Sequence, residues 1–291
     1  MVVEISVVIP AFNAQDTIGE QLEALAAQEF AGSWEVVVAD NGSTDDTVAR
    51  ALEHAASLPD LRVVDASQHR GASHARNVGA EAAKAPFLIF LDADDAAQPG
   101  WLATMAEASR TADLIAGRTV LILRDAVAGD QVTNHSAPTP WSRVLPSGGF
   151  LDANPAANLG VRRSVWSDVG GFRTNMLAGE DTAFCWDVQL AGHPLVRVPD
   201  AVVYYRARAD ISGFARQQFT WGVGVVQLYV AFREHGAPRS SPIGALARWA
   251  ILIVSSPAAL FSADFRRRWV GRISRRAGRA VGSIRYRALC L

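Results

Sequence analysis

Apolar residues in the first third of the chain come in short, nearly uncharged runs at 4–9, 35–39, 61–65 and 87–91. Runs of this length, rich in Val, Ile, Leu and Phe, read as strands buried on both faces. Between them the period lengthens, and helical patterns fill 14–28, 44–57 and 73–84. Strand and helix therefore alternate as βαβαβαβ through residue 95, which predicts a doubly wound α/β half built on a parallel sheet. Ligands of such sheets sit beyond the carboxyl ends of the strands. The polar residues that follow each strand are thus the candidates for chemistry.

Beyond residue 95 the alternation loosens. Residues 99–110 read as a helix and 113–124 as a strand or strand pair. The stretch 126–149, rich in Pro, Gly, Ser, Asn and Thr, reads as a long surface loop. Helical patterns return at 163–169, 181–191 and 213–235, and Pro-Arg-Ser-Ser-Pro at 238–242 reads as a linker.

The chain has 291 residues, 49% hydrophobic and 20% charged. That is globular composition, and it excludes disordered, collagen-like and coiled-coil classes. Its two cysteines, Cys185 and Cys290, are far apart and make no disulfide framework. Residues 1–10 lack a basic leader and carry an apolar run too short for a signal peptide, so the body is expected on the cytoplasmic side. Charge changes the picture more. The formal net charge is −1, yet residues 1–239 hold 17 Arg, one Lys and 28 acids, a net −10. Residues 240–291 hold 10 Arg and one acid, Asp264, a net +9. An acidic body with a basic tail predicts an anionic partner for the tail.

Four strand ends carry the candidate sites. The first reads Val8-Ile9-Pro10-Ala11-Phe12-Asn13. Pro10 is expected to end the strand, and Phe12 either stacks on a base or packs in the core. The second reads Ala39-Asp40-Asn41-Gly42-Ser43-Thr44-Asp45-Asp46. Ser43 or Thr44 suits a helix cap, with acids placed for a capping box. That leaves Asp40, whose carboxylate is placed to accept from a ring N–H of uracil or guanine. The third leads to Gly71, a tight turn into a helix N-terminus that favours anions, and to Arg76. A phosphate or carboxylate ligand explains Arg76, as does an ion pair with a neighbouring acid. The fourth reads Phe90-Leu91-Asp92-Ala93-Asp94-Asp95. Three carboxylates in four residues repel one another unless a cation is present. Alternate residues of an extended segment share a side, so Asp92 and Asp94 converge. Oxygen ligands suit Mg2+ or Mn2+, which would bridge to a diphosphate and stabilise a departing nucleotide. His69, His74, His135 and His193 show no metal-ligand spacing.

These motifs, in this order, resemble the family 2 glycosyltransferases of GT-A fold. Val-Ile-Pro-Ala-Phe-Asn (8–13), Asp40 in its Ala-Asp-Asn-Gly-Ser-Thr-Asp context, Ala75-Arg76-Asn77 and Phe-Leu-Asp-Ala-Asp-Asp (90–95) carry the likeness. Gly170-Gly171-Phe172-Arg173 and Gly179-Glu180-Asp181 extend it, over about residues 4–232. The resemblance implies a Rossmann-like mixed sheet flanked by helices, followed here by an amphipathic helical tail. It implies a nucleotide-diphospho-sugar donor held by Pro10, Phe12, Asn13 and Asp40 near the base and by Arg76 near the uridine or diphosphate. Asp92, Ala93 and Asp94 would complete the donor site, with Asp94 the direct metal ligand and Asp92 near ribose and metal. Asp181 matches the catalytic base, which takes the acceptor proton in a single inverting displacement. The chain would then divide into a nucleotide-sugar-binding half (1–95), an acceptor-binding and catalytic half (96–237) and a basic membrane-associating region (238–291). The acceptor side is expected from 126–150 and around Asn158.

One departure bears on the product. Some processive members carry Gln-x-x-Arg-Trp after the base, whereas this chain has Gln217-Gln218-Phe219-Thr220-Trp221. That favours transfer of a single sugar. Arg206, Arg208 and Arg216 nearby are placed either to meet a diphosphate or anionic acceptor or to lie in solvent.

In the tail, residues 249–263 are uncharged but shorter than the roughly 20 residues of a spanning helix, and read as interfacial or re-entrant. Phe265, Trp269, Val270, Ile273, Ala277, Ala280, Val281, Ile284 and Leu289 then recur at helical spacing among arginines. This is the pattern of a membrane-surface helix, which Gly271, Gly278 and Gly282 weaken. The expected function is inverting, metal-dependent transfer to a glycan or lipid-linked acceptor of the cell envelope, peripheral on the inner membrane face, with no nucleic-acid partner. The alternatives are a nucleotidyltransferase and a non-catalytic nucleotide-sugar binder.

Overall fold

The computed structural model describes residues 3–122, 150–206, 210–239, 241–257 and 261–290. The loop expected at 126–149 lies outside them. In chain order the elements are β1 (Ile5–Ala11), α1 (Ile18–Ala26), β2 (Trp34–Asp40), α2 (Thr47–Leu52), β3 (Leu61–Asp65), α3 (Ala72–Ala82), β4 (Phe87–Phe90) and β5 (Ala96–Ala97). There follow α4 (Trp101–Ser109), β6 (Leu114–Ile122), β7 (Leu159–Arg162), α5 (Arg163–Asp168), α6 (Glu180–Leu190), β8 (Leu195–Arg206), α7 (Ile211–Phe232), α8 (Pro242–Val254) and α9 (Ala263–Arg285). The described residues fall into two compact units. One draws on 1–142, 152–174 and 181–207, the other on 143–151, 175–180 and 208–291.

The first unit is an eight-stranded mixed sheet of order β3-β2-β1-β4-β7-β6-β8-β5. Strands β3, β2, β1 and β4 are parallel, as the alternation predicts. Val7, Val8 and Ile9 are fully buried, so β1 is covered on both faces, the environment that uncharged runs require. Helix α3 reaches the sheet through Gly79, where a Cβ would lie 2.5 Å from a Val8 methyl.

Pro10 does not end its strand. β1 continues to Ala11, still paired with β2. Its ladder with β4 stops at Val8↔Phe90, and Val8 O accepts from Leu91. Two residues on, Pro10 faces that same side beyond the end of β4, where no partner needs the N–H it lacks.

The rest of the sheet, where β7 runs antiparallel to β4 and β6 while β6 and β8 are parallel, was less legible. β8 contains Pro199 and Asp200, which break a strand pattern. Its ladder with β6 jumps from Gly117↔Val198 to Arg118↔Val202, so Pro199 sits in a bulge. Asn158 fills the same place. It is fully buried, and its amide donates to the carbonyls of Arg118 (3.1 Å) and Ala201 (2.9 Å). Its Oδ1 accepts from the Trp101 indole at 2.9 Å. Asn158, expected near an acceptor, is a bolt of the sheet.

In the second unit α7 packs along α9. A Cβ on Gly222 would lie 2.1 Å from the Arg275 carbonyl oxygen, and one on Gly278 would lie 2.0 Å from that of Phe219. Gly271 and Gly282 meet Phe214 and Val226 on the same face. The glycines that weaken α9 therefore allow close packing, with Gly278 bringing backbone against backbone and Gly271 and Gly282 making room for side chains of α7. The Gln-Gln-Phe-Thr-Trp segment serves this packing: Gln218 accepts from Arg275 Nε at 3.0 Å, and Arg275 lies 5.1 Å from the Trp221 ring centre. Gly278→Val is expected to lower stability by about 3 kcal/mol, read as a fall in the urea midpoint. An unchanged midpoint would refute the close approach. Among the described residues no helix is long and apolar enough to cross a membrane.

Candidate active site

The acidic loop follows β4, in mid-sheet. One carboxylate oxygen from each of Asp92, Asp94 and Asp95 lies within 4.8 Å of the others. Asp94 is exposed, Asp92 half-buried and Asp95 fully buried. Burial, then the charges of Asp92 and Asp94, pushes the Asp95 carboxyl well above the usual range, against the pull of the Arg206 N–H. Asp95 Oδ2 is a buried atom with no hydrogen-bond partner. An all-oxygen donor set with an orphaned buried oxygen, and with repulsion that Arg76 relieves only in part through Asp92, fits a hard divalent cation. It is the one such group among the described residues.

Helix α1 holds this loop in place. Gln21, fully buried, donates to the Asp92 carbonyl (3.1 Å) and accepts from the Ala97 N–H (3.1 Å). Two turns on, Gln28 donates to the Gln98 carbonyl (2.9 Å) and accepts from the Leu102 N–H (3.1 Å). Neither was anticipated. The signal was present: 21 and 28 lie on the apolar stripe of Ile18, Leu22 and Leu25, where a polar residue needs a partner. Gln21→Leu strands two buried backbone groups and is expected to cost about 1–3 kcal/mol, and to weaken Mn2+ binding. Urea unfolding and metal titration check this.

At the ends of β1 and β2 two loops lock together. Asn13, at φ 48°, donates its N–H to Ser43 Oγ (3.0 Å) and accepts from Thr44 N (2.9 Å). Asp40 accepts from the N–H groups of Gly42 and Ser43, which leaves lone pairs on a half-buried carboxylate. The capping residues differ from expectation. α2 begins at Thr47, and Asp45 accepts from the Thr47 N–H and hydroxyl. Phe12 is half-exposed rather than core, with the Arg70 guanidinium 4.7 Å from its ring centre. Arg70, not anticipated, is anchored on the Asn41 and Gly42 carbonyls. Asn41 ties β2 to the next loop through Ala66 O, His69 O and Gly71 N.

Arg76 takes the ion-pair alternative. It is buried, and Nη2 donates to Asp92 Oδ1 at 2.7 Å. Its guanidinium is 5.6 Å from the Phe172 ring centre. Phe172 meets Phe90 of β4 edge-on and stacks on Phe184 of α6. Asn77 clasps the Phe172 backbone N–H and C=O, both at 2.8 Å. Gly170 and Gly171, at φ 80° and 70°, make the turn that this clasp needs. Arg173 forks onto Asp187 of α6 at 2.7 and 2.8 Å. The half-exposed Asp181, in the first turn of α6, is thereby tied to α3 and β4. Ala93 turns its methyl into the core. Arg206 pairs with Glu20, Arg216 is exposed on α7, and Arg208 lies outside the described residues.

Cys185, four residues after Asp181, is fully buried. Burial first, with the Asp181 charge adding, pushes its thiol up to about 12. Native protein at pH 8 is therefore expected to resist alkylation at Cys185, and unfolded protein to react; mass spectrometry distinguishes the two.

Fold and site together define a GT-A-type protein, with a curled mixed sheet flanked by helices and an acidic cluster after β4 in mid-sheet. Residues 6–173, more than half the chain, match the family described as Glycosyl transferase family 2. The chain belongs to that family. The glycosyltransferase AglE of Haloferax volcanii is 28% identical over 90% of this chain and 85% of its own length. A pre-mycofactocin glycosyltransferase of Mycobacterium tuberculosis is 28% identical over 87% of this chain, which spans 53% of that relative. A mannosyltransferase of Pyrobaculum calidifontis, solved with GDP-Man and Mn2+, shares the fold at TM-score 0.67 and 19% identity, over 96% of this chain and 86% of that one.

Proposed function

We propose that the chain is an inverting, metal-dependent glycosyltransferase that moves one sugar from a nucleotide-diphospho-sugar to an acceptor hydroxyl. The observation that carries this is the Asp92–Asp94–Asp95 cluster at the end of β4 in a family 2 fold. Pro10, Phe12, Asn13 and Asp40 hold the base end of the donor, with Phe12 offering an exposed ring. Asp92, Ala93 and Asp94 line the ribose and diphosphate end, where Arg76 keeps Asp92 in position. A divalent cation, Mn2+ or Mg2+, held by Asp94 and Asp92 supplies positive charge to the diphosphate. Asp181 removes the acceptor proton as that oxygen attacks the anomeric carbon, and one displacement inverts configuration. The nucleotidyltransferase alternative loses support, because no Gly-rich loop follows β1.

The basic tail supports a place on the inner membrane face, with a lipid-linked or cell-envelope glycan as acceptor. A thermal-shift screen of UDP- and GDP-sugars with and without Mn2+ or Mg2+ tests the donor site. Stabilisation that needs both sugar nucleotide and metal is the expected result. Stabilisation by nucleotide alone, unchanged by metal, would refute metal dependence.

A further inference from the structure

Helix α8 turns to solvent the face that a soluble helix buries. Leu246, Ile251, Ile253 and Val254 are 59–80% exposed, and Phe261 beyond its end is 88% exposed. These helix positions fall within one side of the helix, without a charge among them. Ala245 and Leu252, on the opposite side, are buried. The tail sequence offered two apolar stretches, the uncharged 249–263 run and the helical pattern of α9, and α9 spends its inner face on glycine packing against α7. Val281 and Ile284 of α9 are exposed, but the larger uncovered apolar face belongs to α8.

Behind α8, among the described side chains, lies a set of arginines without an acid. Arg248 of α8 acts through space, with Arg272 and Arg279, on Arg276 of α9; burial and these charges bring Arg276 down to about 10. The two helices are joined here by the Trp269 indole, which donates to the Leu252 carbonyl at 2.9 Å. Arg248 Nη2 and Arg276 Nε are buried atoms with no hydrogen-bond partner. Asp264 is the sole acid in residues 240–291. Among the described residues Arg248, Arg272 and Arg276 make no ion pair. Buried guanidinium donors without acceptors are costly, and like charges add to the cost. An anion seated among them removes both penalties.

We propose that the arginines between α8 and α9 bind the phosphate headgroup of an anionic phospholipid, while the apolar face of α8 lies in the acyl layer. This deepens the membrane reading above and rests on it. A phospholipid is favoured over free phosphate because a free anion leaves Leu246, Ile253, Val254 and Phe261 in water. Arg248 points from the side of α8 opposite the apolar face, which places phosphates above the helix and acyl chains below, as for an interfacial helix.

The test is flotation of the full chain with vesicles of phosphatidylcholine alone and of phosphatidylcholine with phosphatidylglycerol. R248Q/R276Q is compared with R266Q/R268Q, an exposed pair of equal charge loss. The wild type is expected to bind the phosphatidylglycerol vesicles. R266Q/R268Q should weaken binding about thirtyfold through charge alone, and R248Q/R276Q about tenfold further through lost headgroup bonds. R248Q/R276Q, relieved of repulsion, should melt no lower than wild type. Equal losses in the two pairs would overturn the site and leave the membrane reading standing. Wild type that floats with neither vesicle would overturn the membrane reading itself. If inorganic phosphate stabilises the wild type but not R248Q/R276Q, and vesicle binding is the same in both, the site takes a free anion and the lipid proposal fails.

Discussion

Asp181→Asn is expected to lower sugar transfer by roughly 10²–10⁴-fold, the usual contribution of a positioned general base, while donor binding stays as in the wild type. Asparagine keeps the size of the side chain and an oxygen able to accept from the Thr182 N–H, as Asp181 does at 2.6 Å. The first turn of α6 therefore survives the change. What is lost is the capacity to take a proton. The Phe172 stack, the Asn77 clasp and the Arg173–Asp187 fork do not involve the carboxylate, so the helix should remain docked on α3 and β4. Transfer measured at saturating donor, with thermal shift by donor and Mn2+ as the binding control, separates the two effects. Full activity in Asp181→Asn would remove that residue as the base.

Asp94→Ala is expected to abolish metal-dependent donor binding. It should reduce transfer by on the order of 10³-fold, since charge stabilisation by a metal contributes several kcal/mol and each decade needs about 1.4 kcal/mol. Asp94 is exposed and its removal relieves repulsion on buried Asp95, so the variant should unfold no more readily than wild type. That separates it from a change at Asp95, which anchors the Arg206 N–H and would disturb the sheet. Mn2+ titration followed by electron paramagnetic resonance reads the site without reference to activity. Wild-type Mn2+ affinity in Asp94→Ala would show that the ligands lie elsewhere.

The parts of the site visible in the sequence are those with a local signature. Asp92, Asp94 and Asp95 stand together after an uncharged run, and their clustering is costly enough to demand a reason. Asp40 stood out because neighbouring residues already accounted for the turn. Arg70, Gln21, Gln28 and Asn41 lacked such a signature. Gln21 and Asp92 are 71 residues apart, and no period connects them. Arg76 was noticed, but choosing between a phosphate and an acid required knowing that Asp92 lies 2.7 Å away. β8 was missed because its proline is tolerated only in a bulge, and the bulge exists only opposite β6.

The sequence by itself determined the alternation of strand and helix through residue 95, the acidic cluster at the fourth strand end and the division of charge between body and tail. Each is a property of neighbouring residues: side-chain period, local repulsion or local sum. Only the tertiary structure decided which polar groups meet, that glycines in α9 serve close packing, and that α8 carries the exposed apolar face. Those depend on how surfaces far apart in the chain cover one another, and burial is a property of the pair, not of either segment.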